Sequence, residues 1–483
     1  MILSRKNSYS LKTRHIIYVG TIFLGSSFLG YFHEAANIAA FIGFALFCLT
    51  LGLWRREYAL YLAFLELILG SFGYLLSLSL GGLNLPLRMA FFVIIMGLWL
   101  KDTITDYKLP LANYKNNRRT VISLGIFFII WAAGIVSGYA RGHNPADIFF
   151  DANSYLYLLL FLPAIKYLDT KEKIYGLQKV LLIGAAVLAV ETFALFIVFI
   201  NGKNIFMLEI IYKWMRDFRI GEITSLKNGT YRVFLQSQIY LPIGCLLAAA
   251  FYFYKRIKLR IFLLFTALFG GAIYISLSRS LWVGLAAGLA ALFILPVQAS
   301  YGLRPILYNF LKFGAGFLFG IAVVFLLTPK DASLLGNRLK VGQSALNTRI
   351  EQLKPLLPAI KNNPVFGYGF GKTLTFKSFD PRVTYMAKDG SYTTYAFEWG
   401  YLDMVLKFGA LGLFVYLYFV GQIAHKLWKK LKTAPASVIW ALASLVVLLT
   451  THIFTPYLNH PLGIGVLIMG AAIAALDKHG GNE

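Results

Sequence analysis

Residues 260–297 read RIFLLFTALFGGAIYISLSRSLWVGLAAGLAALFILPV, two apolar runs separated by the short turn Ser278-Arg279. Each run is long enough to cross about 30 Å of hydrocarbon as an α-helix. Helices are the natural spanning element, because backbone polar groups in lipid must be satisfied within the protein. The stretch therefore predicts two transmembrane helices joined by a tight turn that carries an arginine.

Similar apolar runs recur along the whole chain, which is 58% hydrophobic and 14% charged. This composition excludes a soluble globular protein. The predicted spans are residues 15–32, 35–53, 57–81, 85–100, 120–138, 154–168, 177–200, 232–253, 260–277, 280–297, 308–327, 397–420, 436–454 and 460–477. The sequence predicts an all-α polytopic integral membrane bundle of roughly 12–14 transmembrane helices, with residues 1–483 as one domain.

The net charge of +25 is mostly explained by topology. Basic short loops alternate with loops nearly free of Lys and Arg, and the positive-inside rule assigns the basic ones, with both termini, to the cytoplasm. Two long segments on the opposite side, 201–232 and 328–396, are also basic. The first residues, although basic, lack a small-residue cleavage site after the apolar run, so we expect no cleaved signal peptide. Nucleic acid is not an expected partner.

Residues 328–396 are predicted to form a large, partly helical extracytoplasmic loop. They contain ten Lys or Arg residues against four acidic ones. Either this surface contacts lipid headgroups, or it attracts a phosphate-bearing or acidic-sugar substrate. Within it, Ser344–Lys361 has the 3–4 spacing of an amphipathic surface helix that Pro355 and Pro358 should kink or divide. Arg349 falls at the margin of the apolar stripe, so its side chain is expected to reach inward.

Four charged residues lie at predicted outer membrane boundaries: Arg232, Arg279, Arg349 and Glu398. Snorkelling, headgroup contact or favourable placement at a helix start would explain each one alone. Together, guanidinium groups can hold a pyrophosphate leaving group, and a partly desolvated carboxylate can take a proton from a sugar hydroxyl. We predict Glu398, Arg349 and Arg232 as catalytic residues. Further substrate-binding candidates are Arg279, Arg338, Lys372 and Tyr401.

No motif for a cofactor or metal is evident. The seven histidines lack metal-ligand spacing, and there is no HExxH pattern. Gly367-Tyr368-Gly369-Phe370-Gly371 lacks the Lys-Ser/Thr that follows a phosphate-binding loop, so a tight turn with close backbone contacts is the better interpretation. We expect a reaction without metal or cofactor.

Four motifs follow one another in the second half of the chain. They are Tyr231-Arg232…Gln238, Ser276-Leu277-Ser278-Arg279-Ser280…Gly284, Asn347-Thr348-Arg349 followed by Asn363-Pro364-Val365-Phe366-Gly367-Tyr368-Gly369, and Tyr401-Leu402…Phe408-Gly409-Ala410-Leu411-Gly412. In this order they resemble the bacterial O-antigen ligase / O-antigen polymerase superfamily of polytopic glycosyltransferases. The resemblance implies an undecaprenyl-pyrophosphate-linked glycan donor, a glycan acceptor and a site on the periplasmic or extracellular side of the bacterial inner membrane. It maps the essential arginines to Arg232 and Arg349, with Arg279 in support.

Glu398-Trp399 occupies the position where ligases usually carry a His-Asn pair, which favours a polymerase or a diverged ligase and leaves Glu398 as the base. A transporter or flippase of lipid-linked glycans is the alternative, since Glu66 and Glu191 fall within predicted spans, where carboxylates often mark ion paths. No inverted repeat supports that alternative. A structural scaffold for glycan export would leave Arg349 and Glu398 unexplained.

Overall fold

A computed structural model describes residues 11–80, 83–105, 117–226, 230–298, 303–328, 334–380, 383, 385, 387, 389–432 and 435–476. Within these ranges the protein is almost entirely helical, with three antiparallel two-stranded hairpins. The helices are α1 (Thr13–Phe32), α2 (Glu34–Trp54), α3 (Arg56–Leu69), α4 (Leu87–Thr105), α5 (Arg118–Ala140), α6 (Pro145–Ala152), α7 (Phe161–Tyr167), α8 (Lys171–Asn201), α9 (Ile205–Asp217), α10 (Tyr240–Phe253), α11 (Leu259–Ser276), α12 (Arg279–Gln298), α13 (Leu303–Leu327), α14 (Leu334–Asn362), α15 (Gly400–Lys429), α16 (Pro435–His452) and α17 (Pro461–Ala475). The strands pair as β1 (Ser77–Leu80) with β2 (Leu83–Pro86), β3 (Gly221–Ser225) with β4 (Tyr231–Leu235), and β5 (Leu374–Lys377) with β6 (Ser391–Thr394). Two 3₁₀ helices cover Asn153–Leu160 and Gln236–Ile239.

The prediction of a polytopic helical membrane protein is confirmed. Nine helical stretches of the described chain are long and apolar enough to cross a membrane, one of them running from α6 through α7. Each of the predicted spans contains a helical segment. Most residues of the two termini lie outside the described ranges, so the cytoplasmic location of both termini stays a prediction.

Two predicted span boundaries are wrong. The span 57–81 ends as a helix at Leu69, because Ser71 and Gly73 adopt positive φ angles of 51° and 93° that no α-helix contains. The span predicted to begin at Arg232 begins instead at Tyr240, since Arg232 lies in strand β4 and pairs opposite Thr224. In both places the chain forms a hairpin where hydropathy alone predicts continuous helix.

The helices sort into a buried centre and a lipid-facing periphery. Nearly all residues of α10 and α17 are buried, whereas α1, α2, α5 and α13 expose much of their apolar surface. Small residues permit the closest helix contacts, as in membrane proteins generally. At Gly320 of α13 the backbone lies so close to the Ala267 carbonyl of α11 that a side chain would collide with it.

Helix α14 crosses one end of the bundle and is longer than predicted. It continues through Pro355 and Pro358, so the predicted division is wrong. Each proline lacks the backbone donor and crowds the carbonyl four residues earlier, but the fully buried Leu356 between them anchors the helix to the bundle. We call this end, where α14 and the hairpins β3–β4 and β5–β6 lie, the loop face.

Residues 363–371, here the glycine loop, enter between α5 and α15 instead of staying wholly outside the bundle. Tyr368 and Gly369 donate backbone hydrogen bonds to the carbonyls of Leu406 and Lys407, both at 2.8 Å. Those carbonyls are available because α15 is interrupted at Phe408 and Gly409. The predicted tight turn with close backbone contacts is therefore present.

Candidate active site

Arg349 and Glu398 form an ion pair at the loop face. The Arg349 Nε donates to a carboxylate oxygen of Glu398. The backbone is fixed on both sides, because Trp399 Nε1 donates to the Arg349 carbonyl at 2.8 Å and the Glu398 N–H donates to Gln352 at 3.1 Å. Arg349 thus reaches inward from α14, as its position on the helix predicts, and the two residues meet although they are far apart in sequence.

The Glu398 side chain is partly exposed. It retains 47% of its accessible surface. The neighbouring Trp399 packs against the loop after α16. Its indole lies against Phe454, with ring centroids 6.0 Å apart, and its N–H donates to the Arg349 carbonyl. The Glu398 carboxylate is therefore accessible from outside the bundle.

Arg232 binds the turn that carries Arg279. Its Nε donates to the carbonyl of Ser276 at 2.8 Å, and its guanidinium lies 4.8 Å from the centre of the Phe234 ring. A Glu222 carboxylate oxygen is 3.8 Å away, at the limit of an ion pair. The Arg232 side chain is only 13% exposed and is held on several sides. It is therefore a fixed positive charge beside the α11–α12 turn.

Arg279 is the exposed charge of that turn. Helix α11 ends at Ser276, Leu277 adopts the left-handed conformation with φ 47°, and Arg279 begins α12. The Ser278 N–H donates to the Ser276 hydroxyl at 3.2 Å and closes the turn. Arg279 forms no ion pair with another residue in the described part of the chain. Its guanidinium is thus free to take an external anion.

One loop joins the two groups of charges. Residues 453–460 between α16 and α17, here the bridging loop, contact both sides. Phe454 packs against Trp399 on the side of Glu398. The next residue, Thr455, donates to the hydroxyl of Ser280 at 3.1 Å, one residue from Arg279. The bridging loop therefore connects the turn that carries Arg279 with the segment that carries Glu398.

Three other predicted binding residues have different positions. Lys372 lies 5.0 Å from the centre of the Tyr368 ring, at the end of the glycine loop. The Tyr401 hydroxyl donates to the Leu449 carbonyl at 2.9 Å, so it fastens α15 to α16 instead of facing a substrate. Arg338 belongs to the first part of α14, whose side chains lie outside the described residues, and its role stays a prediction.

A buried charge network beside Glu398 was not predicted. Lys407 forms ion pairs with Asp151 and with Asp403, the latter at 2.7 Å, and all three side chains are almost completely buried. Asn459 of the bridging loop donates to Asp403 at 2.8 Å. The sequence did contain a signal: Asp403 and Lys407 are four residues apart in an apolar helix, where charges are rarely unpaired.

This network fixes both ends of residues 372–396. Before them, the Gly371 N–H donates to Asp151 at 3.0 Å. After them, the Phe397 N–H donates to Asp403 at 3.2 Å. Since Phe397 precedes Glu398 directly, the buried network determines where the backbone of Glu398 lies.

Tyr395 is a second residue that the sequence did not single out. It is half-buried, three residues before Glu398. Burial raises the pKa of its phenol, and the nearby Asp151 and Asp147 carboxylates raise it further.

Comparison with known proteins gives one family match. Residues 262–417 match the O-antigen ligase family, a range from α11 to α15 that includes Arg279, Arg349 and Glu398 but not Arg232. No curated protein matches the chain. The similarity over residues 262–417 supports the resemblance to the O-antigen ligase superfamily that the ordered motifs predicted.

Proposed function

We propose that the protein transfers a glycan from undecaprenyl pyrophosphate onto a sugar hydroxyl, without metal, at an extracytoplasmic loop face. Its O-antigen ligase match and apolar helices support a role in polysaccharide assembly within a membrane. The observation that carries the proposal is the contact between Arg349 and Glu398. An anion-binding group and a proton acceptor lie side by side, next to the arginines of the α11–α12 turn.

The proposed reaction uses these charges in one displacement. The acceptor hydroxyl oxygen attacks the anomeric carbon of the donor, and the bond from that carbon to the phosphate oxygen breaks. Its electron pair leaves with the pyrophosphate, whose developing charge the guanidinium groups stabilise. Glu398 accepts the proton of the attacking hydroxyl.

The ion pair gives donor binding a second effect. A pyrophosphate that binds Arg349 competes with Glu398 for the same guanidinium. Donor binding therefore releases the carboxylate from its partner when a proton acceptor is needed. A polymerase and a ligase form the same type of bond, so the mechanism applies to either product.

The first prediction is that the purified protein in nanodiscs converts a lipid-linked oligosaccharide and an acceptor glycan into product and free polyprenyl pyrophosphate. Because arginines perform the charge stabilisation, excess EDTA should leave the rate unchanged. Mass spectrometry of both products checks this. Activity that is lost with EDTA and restored by Mg²⁺ or Mn²⁺ would contradict the proposed chemistry.

The second prediction is that Glu398→Gln lowers kcat by about 10²–10⁴-fold, the contribution of a positioned general base. The donor KM should not rise, since a neutral amide competes less strongly than the carboxylate for the Arg349 guanidinium. Glu351→Gln is a matched control, because Glu351 is also on the loop face but pairs with its neighbour Lys354. Wild-type turnover in Glu398→Gln would show that the carboxylate serves only as the ion-pair partner of Arg349.

Transport is less well supported by the structure than by the sequence. Glu66, one of the two carboxylates behind that alternative, forms a buried bidentate pair with Arg88, with N–O distances of 2.9 and 3.0 Å. Arg88 also donates to the Ser71 carbonyl at 2.9 Å, which ties α4 to the end of α3. Glu191 has no hydrogen-bond partner for its buried carboxylate oxygens among the described residues. Dependence of glycan movement on a proton gradient would favour transport.

A further inference from the structure

Two cations lie over one tyrosine ring at the loop face. Arg141 follows α5, and Lys372 follows the glycine loop. The Arg141 guanidinium carbon and the Lys372 Nζ are each 5.0 Å from the centre of the Tyr368 ring. The Arg141 guanidinium carbon and the Lys372 Nζ are therefore no more than about 10 Å apart, twice the distance of each from the ring centre.

The protein backbone holds these cations together. The His143 Nδ1 donates to the Phe370 carbonyl at 2.8 Å, which joins the segment after α5 to the glycine loop. The Gly371 N–H is bound by the buried Asp151 at 3.0 Å, next to Lys372. These two contacts to the main chain of the glycine loop hold the segments that carry Arg141 and Lys372 close together.

No carboxylate neutralises this pair within the described part of the chain. Neither Arg141 nor Lys372 forms an ion pair there. Asp151 is engaged by Lys407, and Asp147, on the same helix, is in ion-pair contact with neither cation. Two neighbouring cations without a carboxylate partner raise the local positive potential and favour the binding of an anion.

The surroundings indicate which kind of anion. Tyr139, Val365 and Phe366 expose 54%, 50% and 73% of their surfaces, and Tyr139 lies at the end of a lipid-facing span. Exposed aromatic and apolar residues beside cations at a helix end are typical of the membrane interface, where lipid phosphates lie. This environment favours a lipid anion over a soluble one.

The cation pair is connected to the segment that carries Glu398. Tyr368 packs against the buried cluster of Leu356, Phe376, Phe397 and Leu406, and Trp399 packs against the same cluster. An anion bound at Arg141 and Lys372 would therefore lie at the loop face next to this segment.

We propose that Arg141 and Lys372, positioned by Tyr368, bind the phosphate of a membrane lipid at the loop face. Two lipids offer this chemistry: an anionic phospholipid, and the polyprenyl pyrophosphate donor before it reaches Arg349. Only the second source rests on the proposed function.

Native mass spectrometry of the detergent-solubilised full chain tests the site without requiring turnover. The probes are phosphatidylglycerol, zwitterionic phosphatidylcholine and undecaprenyl pyrophosphate. In the double variant Arg141→Gln/Lys372→Gln, the apparent Kd for at least one anionic probe should rise about tenfold or more, since each surface cation contributes to anionic-lipid binding. Phosphatidylcholine binding should not change.

A control variant removes the same charge from the same face. Lys213→Gln/Arg216→Gln lies on α9, where both cations are already paired with Glu209 and Asp217. It should bind the anionic probes like the wild type. A loss confined to phosphatidylglycerol identifies the phospholipid as the source, and a loss confined to undecaprenyl pyrophosphate identifies the donor. Unchanged affinity in Arg141→Gln/Lys372→Gln, or an equal loss in the control, overturns the proposal.

Discussion

Arg349→Ala is expected to lower the rate of polyprenyl pyrophosphate release by about 10³–10⁵-fold, because an arginine that stabilises charge on a phosphoryl group contributes on that scale. The substitution should not unfold the protein. The Arg349 backbone carbonyl still accepts from Trp399, and the Glu398 N–H still donates to Gln352. Arg349→Lys should recover little activity, since an ammonium group lacks the planar bidentate fork.

The matched control is Arg216→Ala, which removes an arginine from α9 at the same face. Arg216 is exposed and already paired with Asp217, so its loss should leave turnover unchanged. Both variants are compared by single-turnover release from a defined lipid-linked oligosaccharide, with thermal unfolding measured in parallel. Full activity in Arg349→Ala would remove the reason for placing the donor beside α14.

Lys407→Met is expected to lower the free energy of unfolding by about 3–5 kcal/mol, the cost of breaking a buried ion pair from one side. Asp151 and Asp403 would remain as buried carboxylates without their shared cation. Adding Asp151→Asn and Asp403→Asn should recover much of the loss, because replacing a whole buried charge cluster is often neutral. Denaturant titration of the solubilised chain measures both changes.

Lys173→Met provides the comparison at the surface. Lys173 pairs with Asp169 at the same i,i+4 spacing and the same 2.7 Å distance as Lys407 with Asp403, but both partners are partly exposed. An exposed pair contributes about 0–1 kcal/mol, so this variant should be near wild type. Equal losses in the two variants would show that burial of the Lys407 network has no special effect.

Hydropathy predicted the helices well because a spanning segment must be apolar along its whole length. It failed at residues 70–80 and 231–235, where apolar residues form hairpins at the end of the bundle. At residues 70–80 the positive φ angles of Ser71 and Gly73 end the helix. A hydropathy average over many residues does not detect such a local change in backbone conformation. The continuous α14 likewise shows that tertiary packing around Leu356 outweighs two prolines.

The candidate site was only partly predictable. The helical position of Arg349 indicated that it reaches inward, and the contact with Glu398 agrees with that. The packing of the Trp399 indole against Phe454 joins residues that are far apart in sequence, so the sequence did not predict it. The ion pair of Asp151 with Lys407 joins residues that are far apart in sequence. It could therefore not be predicted before the fold was known.

The two hydrogen bonds that fix Gly371 and Phe397 have an evolutionary consequence. Both lead to carboxylates that share the cation of Lys407, so the intervening residues begin and end at one rigid point of the bundle. Lengthening a segment closed in this way adds little entropy cost, about 0.6 kcal/mol for each doubling. The bundle and its buried charges are therefore expected to tolerate insertions in this segment during evolution.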